Sequence, residues 1–312
     1  MAQLLPDTID WAAYAADNEL KVKVRKASIY AEGLRREFAP RQRSARTAEM
    51  FSTKLRGMID FRPGETTVWA GYNGHRKSMF TGQVALDLCV QRERVLMASF
   101  EMLPQRTLAR MARQCFAVDR PANASLDAFS DWTDGRLWLL DHVGRFSPQS
   151  CLAVCRYFAD ELQGGHVFID SMMMVCASEE SLDEQKQFMT DVVRLGAETG
   201  LHMHLIAHCK KPLDETKPPT KYDVRGSSAI TDQAHNVVMV WANKAKQAKL
   251  DANPHDLDAA EQPDAMVLVE KQRNGSFEGK LKLWFAANSF RFSDSRTCPV
   301  EPYVLERDGV SL

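Results

Sequence analysis

The chain has 312 residues, 45% hydrophobic and 26% charged, with a formal net charge of −1. That is a globular balance with enough chain for a large core. It holds no run of roughly 18 apolar residues of the kind that spans a membrane, and Asp7, Asp10, Asp17 and Glu19 are not the pattern expected of a secretory h-region and fit a transit peptide badly.

Residues 1–50 are dense in Arg and Lys from Lys21 to Arg46, while Leu20, Val24, Ile29 and Leu34 are too sparse for a core. They read as an arm of one or two helices that docks on a neighbouring subunit, with a linker through Pro40 and Ser44. Residues 51–312 read as one α/β domain. A β-branched run predicts a strand at 66–70. Phe80, Val84 and Leu88 fall on one face of a helix at 78–91. A strand at 95–100 precedes a helix at 104–116 that carries Pro104 in its first turn. Then come a strand at 137–140, a helix at 148–162 and, behind Gly164 and Gly165, a strand at 166–170. Met189, Val192, Val193 and Gly196 share one face of a helix at 183–199, and 201–207 is a strand. Strands at 237–241, 265–269, 281–285 and 290–292 suggest an antiparallel edge. Residues 244–263 read as an exposed loop. Strands alternating with helices imply a mostly parallel sheet covered on both faces. Cys89, Cys115, Cys151, Cys155, Cys176, Cys209 and Cys298 include no Cys-x-x-Cys pair and read as buried free thiols.

The first strand runs into Gly71-Tyr72-Asn73-Gly74-His75-Arg76-Lys77-Ser78. A strand, a loop of pattern G-x-x-x-x-G-K-[ST] and a helix form a P-loop, whose backbone N–H groups and helix N-terminus cradle phosphates. Gly71, Gly74, His75, Arg76, Lys77, Ser78 and Met79 are the expected nucleotide contacts. Lys77 would reach the β- and γ-phosphates of ATP, and Ser78 would bind Mg²⁺. Arg76 stands where the second glycine belongs. Its charge would either add a phosphate contact or point to solvent. Asp170 ends an apolar strand and Glu101 follows another, the places for a Mg²⁺-holding acid and for a carboxylate that orients water. His202, His204 and His208 share strand parity, but no carboxylate or cysteine stands at a zinc-site spacing from them.

Five blocks in this order resemble the DnaB-like ring helicases, most closely the Twinkle and T7-type branch, in a compact form like those of phages and prophages. They begin at Phe61, Ala85, Val167, Leu205 and Glu270, and include Ser99-Phe100-Glu101, Val167-Phe168-Ile169-Asp170 and Lys271-Gln272-Arg273-Asn274-Gly275. The resemblance implies a RecA-like core after the arm, assembled as a hexameric ring that hydrolyses ATP with Mg²⁺, moves 5′ to 3′ on single-stranded DNA and unwinds the duplex in replication. It makes Glu101 the catalytic carboxylate, Asp170 the Walker B acid and His208 the γ-phosphate sensor. Arg273 becomes an arginine finger acting on the neighbouring subunit's ATP, with Lys271 as its companion.

Since net charge does not attract DNA, the contact falls to channel loops at 171–185 and 209–225. The second carries Lys210, Lys211, Lys217, Lys221 and Arg225. The sequence departs from the family at Asp232, where an amide is common, and at His235, where an acid is common. With no primase pattern ahead of the core, a separate primase, loader or single-strand-binding protein is the expected partner, in the cytoplasm of a bacterial or phage-infected cell. The alternatives are a RecA-type recombination ATPase and a ring that binds ATP and single-stranded DNA without hydrolysis.

Overall fold

The computed structural model describes residues 3–4, 32, 35, 48–52, 54–176, 181–212, 214–297, 300–307 and 310–311. Nearly all of the arm expected at 1–50 lies outside them, as does part of the loop at 171–185.

Nine labelled strands form the main sheet. They are β1 (Thr66–Gly71), β2 (Val95–Ser99), β3 (Leu137–Leu139), β4 (His166–Asp170), β5 (His202–His208), β6 (Asn236–Ala242), β7 (Ala265–Gln272), β8 (Gly279–Ala286) and β9 (Arg291–Ser293). The spatial order is β3-β2-β4-β5-β1-β6-β7-β8-β9, and the short strand Gln3–Leu4 pairs outside β3. Pairing is parallel from β3 through β6 and antiparallel from β6 to β9.

Helices α1 (Lys77–Val90), α2 (Pro104–Phe116) and α3 (Asn123–Thr133) cover one face. There Phe80, Val84, Met111, Phe129 and Trp132 pack against Trp69, Phe168 and Ile206. Helices α4 (Pro148–Asp160), α5 (Leu182–Thr199) and α6 (Ala229–Gln233) cover the other, where Val154, Phe158, Phe188, Val192 and Ile230 meet Val68, Ile169 and Leu205. Strand residues alternate between the two clusters, as strands buried on both faces must. Pro104 and Pro148 open α2 and α4, and Ser147 accepts a hydrogen bond from the Ser150 amide at 3.0 Å.

Two elements match the expected bounds at both ends, α2 and β4. The segment expected as loop at 244–263 instead holds α7 (Lys244–Ala252) and α8 (Leu257–Glu261). The buried residue of α7 is Lys246, whose ammonium meets Asp264 at 2.7 Å and the Gln262 carbonyl at 2.6 Å. A helix that buries a paired lysine leaves no apolar stripe to read. Cys89, Cys115, Cys151, Cys155, Cys176 and Cys209 are buried free thiols, and Cys298 lies outside the described residues.

His202 and His204 join His166 in the core, away from His208. Trp69 Nε1 donates to His204 Nδ1 at 3.2 Å, which leaves His204 Nε2–H to donate to His166 Nδ1 at 3.2 Å. His202 Nδ1–H donates to the Arg62 carbonyl at 2.7 Å, and its Nε2 accepts from Thr67 at 2.8 Å. An indole donates only and a carbonyl accepts only, so these contacts fix the tautomers of neutral rings. Burial lowers the pKa of all three, that of His202 to about 3.

Candidate active site

Strand register assembles the site. Gly71 of β1 is paired with His208 of β5, and Ser99 of β2 with Asp170 of β4. With β4 beside β5, the carboxyl ends of four adjacent strands present Glu101, Asp170, His208 and the loop 71–78 along one edge. Open α/β sheets bind ligands at this edge.

Gly71 is required by close packing, since a Cβ there would sit 2.2 Å from the Val240 carbonyl oxygen. Lys77 is buried, and its Nζ donates to the Gly71 and Tyr72 carbonyls at 2.9 and 3.0 Å. Burial lowers its pKa, while Cys209, Asp170 and Glu101 oppose the shift. Asp170 is also buried, which raises its pKa against a hydrogen bond with Ser78. A buried carboxylate and a hydroxyl at the head of α1 are hard oxygen donors of the kind Mg²⁺ takes. Met79 follows in the first turn.

Glu101 accepts from Ser171 Oγ at 2.7 Å and faces His208 Nε2 at 3.5 Å. The His208 contact, with Ser171 after it, holds the carboxyl well down, to about 2, against partial burial. His208 Nε2 stands at the long end of hydrogen-bond distance from this carboxylate. Ser171 escaped the sequence reading as a partner of Glu101, because only the β2–β4 pairing brings it there.

Arg76 has φ 64° and ψ 23°, the left-handed conformation that glycine adopts freely and that costs other residues about 1 kcal/mol or more. Its side chain goes neither toward the phosphate cradle nor simply to solvent. The guanidinium lies 4.0 Å from the centre of the Phe285 ring and donates to Gln247 Oε1 at 2.9 Å. Burial lowers its pKa against the nearby Asp264. His75 is buried and accepts from the Ala242 amide at Nδ1, 3.1 Å away. Burial, then Lys244, lowers its pKa to about 4.

Lys271 and Arg273 lie at the opposite edge. Gln272 pairs with Asn236, which pairs with Thr67 at the start of β1. That is roughly 13 Å along the strand from Gly71. Lys271 donates to the Thr231 and Asp232 carbonyls at 2.9 and 2.7 Å, and Arg273 to Asp232 at 3.2 Å, so both bind the last turn of α6. Here His235 Nδ1 accepts from the Thr66 amide at 3.0 Å. Lys210 and Lys221 line a cleft of about 470 Å³ with Tyr222, Ser227 and Lys271. Lys211 and Lys217 are exposed outside its lining, Lys217 at 3.8 Å from Asp214. The Arg225 amide donates to the His208 carbonyl at 2.8 Å.

A family model described as AAA domain matches residues 39–214, more than half of the chain. Among solved structures, the chain is similar to one titled ATPase Domain of G40P, at TM-score 0.63 and 15% identity over 76% of this chain and 86% of that one. It is similar also to a DnaB-like replicative helicase described with its interactions with primase, at TM-score 0.62 and 15% identity over 75% of this chain and 58% of that one. At this identity the likeness establishes the shared fold, a mostly parallel RecA-like sheet with an antiparallel C-terminal edge.

Proposed function

The chain belongs to the AAA domain family, and from that premise we propose that it is an ATP-driven DNA helicase, a ring of identical subunits that moves 5′ to 3′ on single-stranded DNA. One observation carries this reading: Lys77, Ser78, Asp170, Glu101 and His208 converge at one edge of the sheet, while Lys271 and Arg273 stand at the other. An arginine so placed acts on a phosphate held by a second copy, and hydrolysis then depends on assembly.

Lys77 holds the β- and γ-phosphates of ATP. Ser78 and Asp170 would hold Mg²⁺, which when bound neutralises phosphate charge. Glu101 is ionised at neutral pH and orients the attacking water through an oxygen fixed by Ser171. His208 touches both this carboxylate and, through its strand, the first P-loop glycine, so it senses the γ-phosphate from between them. Its carbonyl holds Arg225, which ties that sensor to the loop 209–225.

Lys210, Lys211, Lys217, Lys221 and Arg225 supply contacts to DNA phosphates without reading sequence. Tyr222, 81% exposed beside the Lys221 ammonium, offers a ring face to an unpaired base. A separate primase or loader completes the replicative setting. Arg76 in a glycine position favours one second reading, a ring that binds ATP and single-stranded DNA without hydrolysis.

The test is ATP hydrolysis with and without single-stranded DNA, with forked-duplex unwinding, for the unmodified chain, Lys77→Ala and Arg76→Gly. DNA-stimulated turnover and unwinding, both lost in Lys77→Ala, are expected. Turnover without unwinding points to the recombination class. An inert unmodified chain beside an active Arg76→Gly supports the non-hydrolysing ring, and inertness of both overturns the motor.

A further inference from the structure

The P-loop departs from its pattern at one position, and the structure surrounds that position with contacts from outside the family-matched segment. Arg76 is left-handed at φ 64°. Phe285 of β8 presents its ring to the guanidinium at 4.0 Å, and Gln247 of α7 accepts from it at 2.9 Å. Phe285 is itself fixed: its amide donates to Asp264 Oδ2 at 2.9 Å, while the other carboxylate oxygen meets Lys246 at 2.7 Å. Its ring packs on Phe292, 4.9 Å between centres. One residue earlier, the Ala242 amide pins His75. Residues 75 and 76 are thus tied to β6, α7 and β8, at the place where the backbone must curl around phosphate.

We propose that Phe285 and Gln247 are positioning residues of the nucleotide site, holding Arg76 in the conformation that glycine would supply unaided. The inference rests on the reading of 71–78 as a nucleotide site. It gives the antiparallel edge a role in ATP binding, through a cation–π contact that keeps the loop's amides aimed at the phosphates.

The test is a double-mutant cycle on the affinity of the full chain for Mg²⁺ and a fluorescent ADP analogue, with thermal melting run alongside. Phe285→Leu should weaken binding about 5- to 10-fold, the range of a partly desolvated cation–π contact. Phe285→Tyr, which keeps the ring face, should bind within about 2-fold of the unmodified chain. Gln247→Ala, at an exposed position that cannot unfold the core, should weaken binding about 2- to 3-fold. In an Arg76→Gly background both Phe285→Leu and Gln247→Ala should change affinity by less than about 2-fold, because the loop no longer needs them. Equal losses in both backgrounds, or no loss from either change with Arg76 present, overturn the inference while leaving the nucleotide site standing. If neither the unmodified chain nor Arg76→Gly binds the analogue, the nucleotide-site reading falls and takes this inference with it. Binding only after Arg76→Gly would make the arginine a block, which overturns the inference alone.

Discussion

The parallel half of the sheet and its antiparallel edge contribute to the site in different ways. In the parallel half, register alone delivers the chemistry: Gly71, Asp170 and His208 end their strands and Glu101 closely follows β2, all at the same edge. In the antiparallel edge the chain reverses, so Lys271 and Arg273 at the end of β7 sit beside the start of β6, level with the start of β1. Parallel strands gather these groups at one edge of the sheet; a reversed strand carries its terminal groups to the other.

Breaking that division should have the largest effect. Arg273→Ala and Lys77→Ala should each lower DNA-stimulated turnover about 10³-fold or more. If the two edges serve different copies, co-assembled mixtures should regain activity, since roughly a quarter of the interfaces in a random ring combine an intact Lys77 with an intact Arg273. Steady-state hydrolysis across mixing ratios measures this; a mixture as inert as its components would place both residues in one site, against the geometry.

Within the parallel half, Glu101→Gln should lower kcat about 10²- to 10³-fold, with little change in KM. Because His208 and Ser171 hold Glu101 down to about 2, it is ionised throughout the working range, and its own titration should not shape the rate between about pH 5 and 8. A carboxylate-like acid limb in single-turnover rates at that pH would contradict this placement.

The amino ends of the same strands should respond to acid instead. His166, His202 and His204 are neutral in the fold, with pKa values lowered by burial, so the unfolded chain binds protons first as the pH drops. Stability is therefore whole above about pH 6.5 and should fall below it by about 1.4 kcal/mol per pH unit for each histidine kept neutral, continuing for His202 to about 3. Denaturant midpoints at pH 7 and 5 measure the slope, which His202→Gln should flatten. Acid inactivation then includes global unfolding of the sheet.

The sequence was most legible where chemistry and register coincide. The P-loop, Asp170 and Glu101 stand at strand ends marked by β-branched or apolar runs, and the β4 boundaries were visible to the residue. The helix α3 was not, because Phe129 and Trp132 are its large buried anchors while Leu126 is exposed, leaving no continuous stripe. The roles of Phe285 and Gln247 were hidden for a different reason: they depend on where β8 and α7 fall beside residue 76, far away in the chain. A local departure such as arginine for glycine is visible in sequence, while its compensation belongs to tertiary structure.

The smallest effect expected is at Tyr222, where the two halves meet at the cleft lined by Lys210 from beyond β5 and Lys271 from β7. An 81% exposed ring contributes little to the core, so Tyr222→Ala should leave thermal stability unchanged. A stacked base is worth about 1–3 kcal/mol, so affinity for single-stranded oligonucleotide should fall about 5-fold or more. The salt dependence should keep its slope, because stacking releases no counterions; Lys221→Ala should lower the slope by about 1 while leaving the ring available. Fluorescence anisotropy across a salt series separates the two. A Tyr222→Ala variant with an altered slope would mean that the ring only props up Lys221, and an unchanged affinity would move the DNA path away from this cleft toward Lys211 and Lys217.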